Sequence, residues 1–204
     1  VDSQGRFEEM YQEAGEDFAA IPWAKLEPRP ALVEWLEGEE PGAGRAALVI
    51  GCGYGDDAEE LARRGWAVSA FDFSPTAIAR ARGRFPDSAV DYRVADLFDL
   101  PAEWRGRFDL VVEIHTLQAI PTEVRASGPA TIAALVAPGG RLWFSILGRD
   151  EHLPGGLRPW PLVPAELAGF EAAGLRPESR REEPLPPGSY MTDRVYEVIG
   201  LLRR

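Results

Sequence analysis

Hydrophobic and polar positions along this chain change period several times, and the sharpest change falls between residues 46 and 72. Residues 46–50 form an unbroken apolar run, residues 56–64 carry apolar side chains at helical spacing before Gly65, and residues 68–72 form a second apolar run ending in Asp72. That order predicts strand, helix and strand, a βαβ unit whose first connection is the turn Gly51-Cys52-Gly53-Tyr54-Gly55. Further along, strands are predicted at 90–94, 108–114 and 141–147, and two more at 175–183 and 195–202, set apart by a turn-forming stretch. Helical patterns are predicted from Ser74-Pro75 to about 85, at 129–136 and at 165–173.

Upstream of the βαβ unit, Phe7, Met10, Tyr11, Ala14 and Phe18 recur at helical spacing with Glu8, Glu9, Glu13 and Glu16 around them, so residues 3–18 read as an amphipathic helix. Ile21-Pro22-Trp23 and Pro28-Arg29-Pro30 then form a stiff, extended connection, and Pro30 opens a helix to residue 37. Residues 148–164 form a long Gly/Pro-rich loop holding His152, Arg158 and Trp160, and residues 184–188 a turn.

The glycine turn has a mechanical meaning. Glycine takes positive φ and has no Cβ, so alternating glycines let main chain approach a ligand at the carboxyl end of a strand. Asp72 would end the neighbouring strand, where a carboxylate can accept from both hydroxyls of a ribose. The ligand is therefore expected to be a nucleoside. A dinucleotide fingerprint would place glycine at position 56, but Asp56 and Asp57 stand there. Two carboxylates suit a helix N-terminus, repel a pyrophosphate and tolerate a cationic sulfonium or ammonium.

At 204 residues the chain is expected to form one structural domain with a sizeable core. Net charge is −11, and residues 1–44 hold eleven acids against Arg6, Lys25 and Arg29. Nucleic acids are held largely through Lys and Arg contacts to phosphate, so this balance argues against them as partners. The acidic leader reads as a solvated helix face. Cys52 has no second cysteine to pair with, no apolar run approaches the ~20 residues of a membrane span, and no signal segment opens the sequence. The expectation is a soluble cytoplasmic protein with a small-molecule partner and no membrane partner.

Gly51-Cys52-Gly53-Tyr54-Gly55 with Asp72 resembles the first motif and ribose-binding acid of the class I S-adenosylmethionine-dependent methyltransferases. Val94-Ala95-Asp96-Leu97-Phe98 is similar to the segment that reads adenine, residues 108–113 to the fourth strand, and Pro138-Gly139-Gly140 to the turn into the fifth. The resemblance implies a doubly wound, Rossmann-like α/β fold with a seven-stranded sheet whose last strand is antiparallel. It divides the chain into an N-terminal helical lid, residues 1–44, and a methyltransferase domain, residues 45–204. It implies S-adenosyl-L-methionine as cofactor, S-adenosyl-L-homocysteine as product, and no metal. Cofactor-binding candidates are Gly51, Cys52, Gly53, Tyr54, Gly55, Asp56, Asp72, Phe73, Asp96, Leu97, Glu113 and Trp23. The family often has an acid where this chain has Val49, so Asp56 or a backbone carbonyl is expected to meet the methionine amino group instead. The Pro-rich stretch around Trp23 resembles the start of thiopurine-methyltransferase-like small-molecule enzymes.

At the end of the fourth strand, Glu113-Ile114-His115-Thr116 lacks the Asn-Pro-Pro-Tyr-type motif of enzymes that methylate DNA or protein glutamine. His115 and Glu113 are the catalytic candidates. An imidazole titrating near neutrality can accept a proton from a thiol, hydroxyl or amine, while Glu113 can instead hold the cofactor or a cationic substrate. Phe7, Tyr11, Trp23, Trp160 and Tyr190 are pocket candidates, with plain packing as the alternative for each. The expected activity is methyl transfer to an S, O or N nucleophile by in-line displacement. A non-catalytic nucleoside-binding or regulatory protein, and a nicotinamide oxidoreductase, are the competing readings.

Overall fold

The computed structural model describes residues 3–151, 159–185 and 195–204. His152, Arg158, Tyr190 and residues 186–188 of the predicted turn lie outside the described residues. The chain divides into two units, residues 1–100 and 101–204.

In the first unit, β1 (Ala46–Ile50) and β2 (Ala67–Asp72) run parallel, and β3 (Asp91–Val94) lies parallel to β2 on its other side. β1 is apolar throughout because both faces of a covered parallel strand are buried. Four helices complete the unit: α1 (Ser3–Ala14), α2 (Pro30–Glu37), α3 (Asp56–Arg63) and α4 (Pro75–Arg84). α1 ends four residues before the apolar spacing does. Gly15 takes φ of +55°, which stops the helix, and Asp17 caps a separate single turn, Phe18–Ala20, by accepting from the Ala19 N–H. α4 begins as its sequence predicts, with Ser74 Oγ accepting from the Ala77 N–H at 2.9 Å and Pro75 in the first turn.

In the second unit, β4 (Phe108–Ile114) and β5 (Val136–Arg149) are parallel, and β7 (Val195–Arg203) pairs antiparallel with β5 and with β6 (Arg176–Pro184). Two helices, α5 (Gly128–Leu135) and α6 (Pro164–Ala172), complete it. β5 is longer than its apolar run: it starts at Val136, opposite Phe108, and the register shifts before Arg141 meets Leu110. β6 is exposed along its full length and carries ion pairs Arg180–Glu182, Arg181–Glu183 and Arg203–Glu178.

Among the described residues the strands follow the order β3-β2-β1-β4-β5-β7-β6, seven in all. This is the expected Rossmann-like methyltransferase topology with β7 reversed. Among the described residues no helix is long and apolar enough to cross a membrane, and no group of three or more His, Cys, Asp or Glu is placed to hold a metal ion.

Candidate active site

In the first unit the turn after β1 is built by three glycines at positive φ: Gly51 at 60°, Gly53 at 51° and Gly55 at 93°. Their backbone curls towards Asp72, whose Oδ2 accepts from the Gly53 N–H at 2.9 Å and whose Oδ1 accepts from the Ser74 N–H at 3.0 Å. Burial, with Glu8 nearby, pushes the Asp72 carboxyl up to about 6 against those backbone donors. Cys52 is held by its N–H on the Phe71 carbonyl, 2.9 Å away. Burial and the neighbouring Asp72 keep its thiol protonated. The Ala95 N–H donates to the Asp72 carbonyl at 3.1 Å, so the turn after β3 adjoins the same strand end. There Asp96 Oδ1 accepts from the Phe98 N–H at 2.9 Å, and Leu97 is buried.

The first helix lies against this glycine turn. A Cβ on Gly53 would meet Tyr11 Oη at 3.2 Å. Tyr11 is buried, packs edge-on against Tyr54 and Trp23, and accepts a hydrogen bond from Trp23 Nε1 at 3.1 Å. Phe7 touches Trp23 and Phe73, with ring centroids 5.2 and 6.4 Å apart. Glu8 fastens the arrangement: its carboxylate accepts from Ser74 Oγ at 2.5 Å and Thr76 Oγ1 at 2.6 Å. Thus Glu8, read from the sequence as part of a solvated face, is bonded to α4.

Two predicted acids have other partners. Asp56 is paired through both oxygens with Arg84, at 2.7 Å each. Asp57 accepts from the Arg29 N–H at 2.7 Å, tying the start of α2 to α3, and burial pushes its carboxyl up to about 6. Tyr54 packs its ring on Tyr11 and Phe18, while its carbonyl accepts from Arg84.

In the second unit β4 delivers Glu113 and His115. Glu113 is fully buried; its Oε1 accepts from the Thr116 and Leu117 N–H groups at 2.7 and 2.9 Å, and its Oε2 has no hydrogen-bond partner among the described residues. Burial, opposed by those two donors, pushes its carboxyl up to about 7. The carboxylate therefore clamps the turn that follows the strand. His115 within that turn takes φ of +58°, a conformation L residues rarely adopt and which costs roughly 1–2 kcal/mol. Its N–H donates to the Ser145 carbonyl at 2.9 Å. Trp160 is pinned by its backbone N–H to the Gln118 carbonyl at 2.7 Å, and its own carbonyl accepts from buried Arg125.

The chain as a whole is similar to known proteins. The family described as Methyltransferase domain matches residues 47–140. Over 172 residues the chain is 37% identical to the ubiquinone biosynthesis O-methyltransferase of Thiobacillus denitrificans (strain ATCC 25259 / T1), covering 74% of this chain and 73% of that enzyme. The chain belongs to the class I S-adenosylmethionine-dependent methyltransferases. The same-named enzyme of Azotobacter vinelandii (strain DJ / ATCC BAA-1303) is 38% identical over 126 residues, 61% of this chain and 53% of that one, so here the chain spans about half the relative's length. A solved structure described by the conversion of a disulfide bond into a thioacetal group during echinomycin biosynthesis is similar over 98% of this chain and 92% of that chain, with TM-score 0.74 and 29% identity.

For a class I methyltransferase, the residues of the first unit fit the nucleoside part of S-adenosylmethionine. Asp72 Oδ2 accepts from the Gly53 amide and Oδ1 from the Ser74 amide, and a carboxylate with two oxygens keeps further acceptor capacity for ribose hydroxyls. A Cβ at Gly53 would intrude on the space under Tyr11. Sequence reasoning missed Glu8 as a fastening residue and missed Glu197, whose Oε1 lies 3.5 Å from His115 Nε2. The first looked like one of many helix acids. The second is one acid in an otherwise apolar strand, and only strand register reveals what it faces.

Proposed function

We propose that the protein transfers a methyl group from S-adenosylmethionine to an oxygen of a small-molecule acceptor, as the names of its ubiquinone-biosynthesis relatives suggest. The observation that carries this reading is the buried Asp72 carboxylate, held between the Gly53 and Ser74 amides beside a three-glycine turn. In this reading Asp72 receives the ribose hydroxyls, and the turn from Gly51 through Cys52, Gly53 and Tyr54 to Gly55 supplies close-approaching backbone. Phe73, Asp96 and Leu97 receive the adenine. Residues 1–44 serve as a lid, with Phe7, Tyr11 and Trp23 as its inner face. The narrower likeness to thiopurine enzymes rests on Trp23 and its prolines alone.

The cofactor, when bound, supplies an already activated methyl group. The chain's own work is to orient the acceptor and exclude water, and orientation alone can lower a barrier by ~7–11 kcal/mol. His115 takes the proton of the acceptor hydroxyl, which adds a factor of ~10²–10⁴. Glu113 holds the turn that aims His115, and its Oε2, without a partner among the described residues, is available to a hydrogen-bond donor.

Calorimetric titration with S-adenosylhomocysteine, with NAD as control, tests the reading. Binding of the former alone is the expected result, followed by methylation of phenols ahead of amines and thiols in an acceptor screen. Binding of NAD alone would overturn it.

A further inference from the structure

His115 has a partner that the sequence does not reveal. Its Nε2 is enclosed by protein and lies 3.5 Å from Glu197 Oε1, although the side chain as a whole is 30% exposed. Glu197 is itself buried, and the same oxygen accepts a hydrogen bond from Ser145 Oγ. The antiparallel register of β5 and β7 sets Leu147 opposite Glu197 and Ile199 opposite Ser145, so Ser145 and Glu197 are diagonal neighbours across the ladder. Ser145 thus touches both partners: its carbonyl holds the His115 backbone and its hydroxyl holds the Glu197 carboxylate.

An ionised carboxylate can only accept hydrogen bonds. Facing Nε2, it favours the imidazole tautomer with hydrogen on Nε2 and repels the one with a lone pair there. The lone pair then lies on Nδ1. The 3.5 Å separation is longer than a good hydrogen bond, and such contacts tighten when the imidazole gains charge.

We propose that Glu197, held by Ser145, is a positioning residue that makes Nδ1 of His115 the general base for a hydroxyl-bearing methyl acceptor. This rests on the methyl-transfer reading above. In the step, the acceptor O–H bond breaks and its proton passes to Nδ1. The oxygen forms its bond to the methyl carbon while the carbon–sulfur bond breaks and its electron pair stays on sulfur as a neutral thioether. Glu197 stabilises the resulting imidazolium until water removes the proton. The arrangement selects acceptors that arrive protonated, phenols or alcohols, and gives nothing to a nucleophile that carries no proton to lose.

The test is ¹⁵N NMR of histidine-labelled protein, with His152→Ala to leave one imidazole signal set, recorded well above the reference imidazole pKa of ~6.5. The expected spectrum has Nε2 protonated and Nδ1 bare. In Glu197→Gln a mixture of tautomers is expected, with kcat for a phenolic acceptor falling about 10²-fold and the acceptor KM nearly unchanged. Glu197→Asp should recover part of the loss, and Ser145→Ala should lose less than Glu197→Gln. Hydrogen on Nδ1 in the otherwise wild-type protein, or full kcat in Glu197→Gln, would overturn the proposal. The tautomer is read without any acceptor, so it can fail while S-adenosylhomocysteine still binds, and loss of that binding would strike the methyl-transfer reading instead.

Discussion

Glu8 and Ser74 stand 66 positions apart in sequence and 2.5 Å apart in space. Ser74 donates its hydroxyl to Glu8, accepts from the Ala77 amide to start α4, and gives its own amide to Asp72. One serine therefore links the first helix, the fourth helix and the candidate ribose acid. Burial pushes the Glu8 carboxyl up, but the hydrogen bonds from Ser74, Thr76 and Gln12 outweigh this and leave it below the usual range. A lowered carboxylate pKa contributes stability above the unfolded value that is lost as pH falls through the folded one.

Glu8→Ala should consequently loosen α1 without unfolding the core. The expected outcome is roughly tenfold weaker S-adenosylhomocysteine binding by calorimetry, equivalent to about 1.4 kcal/mol, with the circular dichroism spectrum nearly retained. Unchanged affinity would mean that α1 contributes only packing.

Asp72 predicts a pH dependence of opposite origin. Its carboxyl is pushed up to about 6 by burial, and only the ionised form can accept from two hydroxyls without also presenting a proton. S-adenosylhomocysteine affinity should hold from pH 8 to about 7 and weaken progressively as the pH falls through 6. Asp72→Ala should abolish binding at every pH. Titrations across that range check both statements, and a flat affinity profile would sink the role given to this carboxylate.

Gly55 cannot carry a side chain. At φ of +93° a Cβ would sit 2.3 Å from Tyr92 Oη and 3.0 Å from its Cζ, and Tyr92 is buried and bonded to Glu59 at 2.7 Å. Strain of roughly 1–2 kcal/mol and a clash of similar size predict that Gly55→Ala loses about 2–4 kcal/mol in urea unfolding. Gly83→Ala is the control: the site lies inside α4 with nothing within 4 Å of the new methyl, and a gain of about 0.5–1 kcal/mol is expected.

Arg125 is buried, and both oxygens of Glu166 receive its guanidinium, at 2.7 and 2.9 Å. Removing one partner of a buried pair strands the other, at about 3–5 kcal/mol. Glu166→Ala should show a loss of that order by chemical denaturation, whereas Glu166→Gln, which keeps one acceptor, should lose less. Because Arg125 also holds the Trp160 carbonyl, acceptor KM should rise in both variants.

Much of this was legible in the sequence where a feature is local. The strands, the cap at Ser74, the helix start at Pro30 and the positive-φ glycines follow from neighbours within a few residues. Asp72 follows from its place at a strand end. What was not legible depends on pairing across distance. Nothing near Asp56 announces Arg84, nothing near Asp57 announces the Arg29 amide, and Glu197 becomes meaningful only once β7 is registered against β5. Glu113 was recognisable as a strand-end acid, yet its bonds to the Thr116 and Leu117 amides arise from a left-handed residue that no apolar pattern encodes.

The exposed strand β6 bears on how this protein behaves among its own copies. A sheet margin with unpaired amides is a template on which another chain can add a strand, the first step of aggregation. Here six of the nine residues from Arg176 to Pro184 are charged, and two are prolines that offer no amide at all. An incoming apolar strand would have to desolvate that row of charges. The open side of the molecule is thereby made unattractive to growth, so crowding during synthesis should leave the chains separate at this margin.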